Sequence, residues 1–348
     1  MSERRKLITA IIILILTALT VNACSIEQYV AIQPTATPTA VPEEETIIEI
    51  VVAEIEFRVT TPEILPDGQY MTLEVLDEVT GLALNAQRHE MKGIQDTQFM
   101  VKLPIPVGSV IKYRYTREGG TRAIEYTRDG RQVRYRMVRV QNPGIVEDVV
   151  SAWNDRPFTG SYGRINGRVL ENGTNLPIPG SLVAAGGQQT ITASDGTFLL
   201  DGLPPGKHNL VVYSLDGAFP PFQQEAEVAV ESSTPAEIRI EQAQYVNVTF
   251  LVTASDDIPD GIPLRLVGNI YPLGNTFADL RGGVNTIASR APILTYQGER
   301  QYRMTVRLPT GLDLRYKYTL GDGFWNAERG INGRLNTRQL IVPETDIT

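Results

Sequence analysis

Apolar and polar residues alternate with a period of two along most of the chain from Thr46 onward. Runs such as "IIEIVVAEIEFRV", "YMTLEVL", "FMVKL", "VIKYRYT" and "VRYRMVRV" alternate or are β-branched throughout. Gly, Pro and Asp punctuate them about every ten residues, a spacing typical of antiparallel sandwiches rather than βαβ units. The pattern predicts an all-β chain of three tandem antiparallel β-sandwich domains, immunoglobulin-like in kind. A leader and a disordered linker precede them.

The chain also repeats itself. "FRVTTPEILPDGQYMTLEV" (Phe57 to Val75) aligns without gaps on "FLVTASDDIPDGIPLRLVG" (Phe250 to Gly268). "KLPIPVGSVIKYRYT" then pairs with "RLPTGLDLRYKYT", Glu125 with Glu328, and "YRMVRV" with "TRQLIV". These matches place one module at 46–157 and its cousin at 243–348. The stretch "YRYTREGGTRAIEYT" of the first copy becomes "YKYTLGDGFWNAERG" in the second, which adds Trp325. Glu125 persists in a copy that lacks this tryptophan, so the glutamates are expected to serve the fold, through a hydrogen bond or an arginine. The segment ending at Trp153, itself read as a packing residue, has no counterpart after Val342. Either the second copy closes differently, or the chain is the front of a longer protein, the reading favoured by the sequence.

Between the copies, 162–242 carries Gly167-Arg168-Val169, Pro179-Gly180, an Asp195-Gly196 turn leading to Phe198, and Leu203-Pro204-Pro205-Gly206. Asp-Gly accepts the positive φ of a tight hairpin turn. Phe198 with Leu200, and Leu210 with Val212, share faces at period two. These residues resemble the carboxypeptidase regulatory-like domain. The resemblance implies a small transthyretin-like spacer sandwich without peptidase activity.

The N-terminus reads as a targeting segment. A basic start (Arg4, Arg5, Lys6) precedes an apolar run from Leu7 to Val21, too short for a bilayer span of roughly 20 residues. Val21-Asn22-Ala23-Cys24 resembles the lipobox of bacterial lipoproteins, which implies a signal peptide at 1–23 and lipidation of Cys24, the only cysteine. Residues 24–45, rich in Pro and Thr and ending in three glutamates, read as a semi-rigid tether. The expected place is the cell envelope, anchored to a membrane and facing outside the cytoplasm.

The net charge is −8, and −10 without the basic leader. Nucleic acid is excluded as a partner on that balance. Arginines of 114–139 form a local exception and read as the solvated face of a strand. A single thiol excludes internal disulfides and cysteine zinc clusters. His89-Glu90 lacks the second histidine of a metalloprotease helix, and His208 reads as strand packing. No nucleophile elbow or phosphate loop occurs. No enzyme and no cofactor are expected of the chain as given.

The second copy resembles a family-20 carbohydrate-binding module, the starch-binding domain. The matching residues are "LRLVGN" (Leu264 to Asn269), Leu273-Gly274, "MTVRLPTG", "LRYKYT", "FWNAE" and Arg338. In that family two tryptophans and a lysine form a sugar platform. The resemblance implies Lys317 and Trp325 as carbohydrate-binding residues, with Tyr271 or Phe277 in place of the absent first tryptophan. An aromatic face gives a sugar ring large contact at small entropic cost. Trp325 could equally pack in the core, and Lys317 could be a solvated strand lysine. Two function classes stay open: an anchored α-glucan-binding lipoprotein, or a structural spacer or surface-interaction protein. A third possibility is the non-catalytic front of a secreted glycoside hydrolase.

Overall fold

A computed structural model describes residues 50–76, 86–256, 258, 261–274, 288–321, 326–334 and 336–348. All described residues belong to one compact unit, Glu45–Thr348. Strands form where the alternation places them, so the chain is all-β, as expected.

Ten strands come first: β1 (Val52–Thr60), β2 (Tyr70–Val75), β3 (Gln87–Glu90), β4 (Lys92–Gln95), β5 (Gln98–Pro106), β6 (Val110–Glu118), β7 (Ala123–Tyr126), β8 (Arg136–Arg139), β9 (Gly144–Val149) and β10 (Ala152–Trp153). They make a sheet β4-β5-β1-β9 and a second, β10-β7-β6-β2-β3, with β8 also on β6. In β1 every second residue (Ala53, Ile55, Phe57, Val59) is buried. These side chains meet Leu73, Tyr113 and Tyr115 of the facing sheet in one core.

The middle strands are β11 (Gly163–Glu171), β12 (Leu182–Ala185), β13 (Gln188–Ile191), β14 (Thr197–Leu203), β15 (Gly206–Tyr213), β16 (Phe222–Val228) and β17 (Ser233–Ile240). They form sheets β14-β11-β17 and β13-β12-β15-β16. Gly196 has φ +78° at the Asp195-Gly196 turn, and Asp195 Oδ1 accepts from the Thr197 amide at 3.0 Å. β17 crosses so close to β11 that a Cβ on Gly167 would lie 1.9 Å from the Ala236 carbonyl oxygen.

The last strands are β18 (Tyr245–Thr253), β19 (Leu264–Gly268), β20 (Thr295–Gly298), β21 (Gln301–Pro309), β22 (Asp313–Leu320) and β23 (Arg338–Ile341), in sheets β18-β21-β20 and β19-β22-β23.

The repeat extends to the register of pairing. Phe57 faces Val101 on β5 as Phe250 faces Met304 on β21. Leu73 faces Tyr115 as Leu266 faces Tyr318, and Tyr113 faces Arg136 as Tyr316 faces Arg338. Even the register shift of the edge hairpin recurs, between Gly93 and Gln95 and between Tyr296 and Gly298. Alternation could not reveal one feature: β1–β9 and β11–β17 pair in parallel.

The three sheet pairs share a buried seam. β15 is covered on both faces: Leu210 and Val212 point into the middle core, while Val211 and Tyr213 join a second cluster. That cluster runs from Val110, Tyr135 and Met137 through Leu182 and Tyr213 to Leu266, Leu273 and Leu314. Burying a side chain of this size contributes about 1.5–3 kcal/mol, so several across the seam hold the parts together firmly.

Candidate functional site

The repeated residues with chemistry converge on one arrangement, a glutamate–arginine clamp beside two tyrosines. In the first copy Glu125 reaches from β7 under β6, where its Oε1 accepts from the Tyr115 amide at 2.9 Å. Arg136 on β8 grips the same carboxylate with Nε and Nη2, at 3.0 and 2.8 Å. Its Nη1 donates to Asp148 Oδ1 on β9 at 2.9 Å, and Nη2 also donates to the Val149 carbonyl. The hydroxyls of Tyr113 and Tyr115 donate to Asp148 Oδ2 at 2.7 and 2.9 Å. Burial, and then the Asp148 charge, push both phenols well above their ordinary pKa. Burial works against the Arg136 guanidinium, but Glu125 and Asp148 hold its pKa well above the ordinary value. One guanidinium is shared by two carboxylates, and the tyrosine hydroxyls and the Tyr115 amide donate to the remaining oxygen positions, so each buried charge has partners.

The second copy rebuilds half of this. Glu328 Oε1 accepts from the Tyr318 amide at 3.1 Å, and Arg338 grips the carboxylate through Nε at 3.0 Å and Nη2 at 2.9 Å. Phe250, Tyr316 and Tyr318 repeat the edge-to-face stack of Phe57, Tyr113 and Tyr115, with centroid separations of 5.2 and 5.9 Å against 5.0 and 5.8 Å. The expectation that both glutamates serve the fold through an arginine is met by these contacts. Arg338 differs in exposure: 47% of its side chain is open, against 2% for Arg136.

Of the expected sugar residues, Lys317 and Tyr271 lie among the described residues. Lys317 sits on the face of β22 opposite Leu314, Tyr316 and Tyr318, and it is wholly buried. It is therefore not a solvated strand lysine. Tyr271 is 56% exposed on a 3₁₀ turn, Tyr271–Leu273, whose amide donates to the Leu215 carbonyl of the middle part. Gly274 caps that turn at φ +85°. Phe277, Trp325 and the lipidation candidate Cys24 lie outside the described residues. Asn269, part of the "LRLVGN" match, is buried and donates to the Tyr213 hydroxyl and the Asp313 carbonyl.

Three of the arginines of 114–139 depart from expectation, while Arg128 and Arg131 are exposed. Arg114, Arg117 and Arg136 are buried, not solvated. Arg114 Nε donates to Glu74 at 2.8 Å, and Glu74 is further held by Arg88 and Arg122. Burial alone would raise the Glu74 pKa, but these guanidiniums bring it below the ordinary value. Arg117 pairs with Glu63 and Asp155 and lies over the Trp153 ring, 5.3 Å from its centroid. Trp153 is 2% exposed in the first core, so it packs as expected. His208 is buried with Nε2 2.7 Å from the Pro204 carbonyl oxygen, and burial lowers its pKa.

One functional group escaped sequence reasoning. Asp313 is buried in the seam, where it accepts from the Val110 amide at 2.7 Å, from Gln339 at 2.8 Å and from Arg315 at 3.0 Å. Burial raises its pKa. Its only sequence signal is an acid in a strand position next to Leu312 and Leu314. Clefts of ≈ 290 and ≈ 360 Å³ occur at the junctions, one lined by Arg128, Gln188 and Asp201, the other by Arg58, Asp148 and Lys207. Among the described residues no group of three or more His, Cys, Asp or Glu is placed to hold a metal, and no helix is long and apolar enough to cross a membrane.

No protein-family model matches the chain, and no curated protein matches it. Among solved structures it is similar to a streptococcal ancillary pilin, at 10% identity over 84% of this chain and 98% of that one, with a TM-score of 0.28. It is also similar to the TIE protein of Bacillus anthracis (9% identity, 85% of this chain, 49% of that one, TM-score 0.23). A third similarity is to GBS52, the minor pilin of Streptococcus agalactiae (12% identity, 60% and 99%, TM-score 0.21). Likeness at this level says nothing of what the chain binds.

Proposed function

We propose that the chain is a non-catalytic, extracytoplasmic structural arm. It is held to a membrane through lipidated Cys24, spaced from it by residues 24–45, and built to hold or present a surface rather than to transform a ligand. The observation that supports this best is where the chemistry-bearing side chains lie. Glu74, Arg117, Glu125, Arg136, Asp148 and Asp313 are buried and spent on hydrogen bonds and ion pairs within the β body. The burial of Lys317 argues the same way against a sugar platform, since a platform needs its polar group at the surface.

Affinity electrophoresis of residues 24–348 in gels with and without soluble starch tests the reading. Unchanged mobility is expected. Retardation abolished by Tyr271→Ala or Trp325→Ala would replace it with α-glucan binding, the reading that the exposed Tyr271 favours. Metabolic labelling with palmitate tests the anchor: label should enter the wild type and be absent from Cys24→Ala.

A further inference from the structure

The cleft of ≈ 290 Å³ lies where the first sheet pair meets the middle one. The turn after β7 supplies one wall with Arg128; β13 and β14 supply the other with Gln188, Thr190, Leu199 and Asp201. Two arginines at its rim already have partners. Arg131 Nε donates to Asp129 Oδ2 at 2.5 Å, and Arg164 Nε lies 3.5 Å from Asp201 Oδ1. Arg128 differs: among the described residues no carboxylate pairs with it. Its guanidinium instead lies over the Tyr162 ring, 3.4 Å from the centroid. Stacking of this kind holds the guanidinium flat and leaves its N–H edge for a planar acceptor.

Gln188 is the second unspent group. It is only 8% exposed, yet its side-chain amide makes no hydrogen bond among the described residues, and the amide opens to the cleft it lines. An amide buried to this extent without a partner needs an explanation. Gly202 brings the two groups side by side. A Cβ there would lie 3.3 Å from Arg128 Cδ and 3.7 Å from Gln188 Nε2.

We propose that this cleft binds a single sugar ring that carries a carboxylate, of the hexuronate kind. The carboxylate meets the Arg128 fork, and the ring hydroxyls meet the Gln188 amide, the Thr190 hydroxyl and the Asp201 carboxylate. The C–H face of the ring covers Leu199, which is 51% exposed. The volume sits at the low end for small-ligand pockets, roughly 300 Å³, which suits one ring. One free cation beside two aspartates matches a singly charged carboxylate and opposes a doubly charged phosphate. A plain dicarboxylate would leave Gln188 and Thr190 without partners. This goes beyond a structural arm. It depends neither on the lipid anchor nor on the outcome with starch, whose glucose units are uncharged.

Glucuronate titrated into ¹⁵N-labelled residues 24–348 tests the site. Saturable shifts are expected at the Gln188, Thr190 and Gly202 amides, with a Kd of about 1 mM or tighter. The methyl ester of glucuronate, which removes the charge and leaves the protein untouched, should bind about tenfold more weakly, the scale of a lost charge-assisted contact. Arg128→Gln should bring glucuronate down to the ester's affinity and leave the ester's own affinity unchanged. A merely structural role for Arg128 would weaken both alike, and that result would overturn the proposal. So would equal binding of acid and ester, or no shifts at about 10 mM glucuronate. Glutarate binding as tightly as glucuronate would remove the sugar from the account, and tighter binding of glucose 6-phosphate would replace the carboxylate with a phosphate; either refutes it.

Discussion

One motif in two environments allows the energetics to be checked internally. Glu125→Gln and Glu328→Gln each keep a carbonyl for the tyrosine amide and remove the charge that faces arginine. Around Glu125 both partners are inaccessible, with 0% and 2% of the side chains open. Removing one member of such a pair costs about 3–5 kcal/mol because the other charge is stranded. Arg136 keeps Asp148 at 2.9 Å, so the cost belongs at the lower end, about 3 kcal/mol. Glu328 and Arg338 are 19% and 47% open, and water takes over much of the lost contact. There the cost is about 1 kcal/mol. Native-state hydrogen exchange reads both clamps, because the Tyr115 and Tyr318 amides are the hydrogen bonds at stake. Exchange at Tyr115 should speed up by about a hundredfold in Glu125→Gln, and at Tyr318 by only about fivefold in Glu328→Gln. Equal acceleration, or a larger effect at Tyr318, would refute the argument that burial sets the cost.

Three further outcomes follow from the same contacts. Glu74 has a folded pKa below its ordinary value, so it contributes stability above about 4.5 that is lost as pH falls through the folded pKa; acid titration of stability should be flatter in Glu74→Gln. Asp313 runs the other way: its raised pKa means the native state binds the proton more tightly, so its contribution falls as pH rises above about 3.8, and urea midpoints of Asp313→Asn should lose that decline. Gly108 sits at φ +91°, and a Cβ there would lie 2.8 Å from Ile341 across the seam, so Gly108→Ala should destabilise by more than about 1 kcal/mol in urea unfolding.

The β-class and much of the pairing were legible because both are written at period two. Phe57 and Phe250 hold equivalent positions in the pairing with β5 and β21, so aligning the copies amounted to aligning these strand pairs. The glutamate of the clamp was legible because it outlives the loss of a tryptophan between copies. Asp148 was not, since its partners sit on β6 and β8 and come near only when β9 closes the sheet in parallel. The same limit hid the burial of Arg114 and Arg136. Alternation marks them as outward-facing, and only the fold brings Glu74 and Asp148 against them. Val211 and Tyr213 break the two-sided pattern because β15 has a core on both faces.

The described strands from Val52 to Ile341 form one body, held together by the seam through Tyr213, Asn269 and Asp313. Backbone ¹⁵N relaxation measures this directly. Strand amides of 52–153, 163–240 and 245–341 should fit one common rotational diffusion tensor, with no shorter correlation time in any group. Three separate tensors, or faster tumbling of the last group alone, would contradict it.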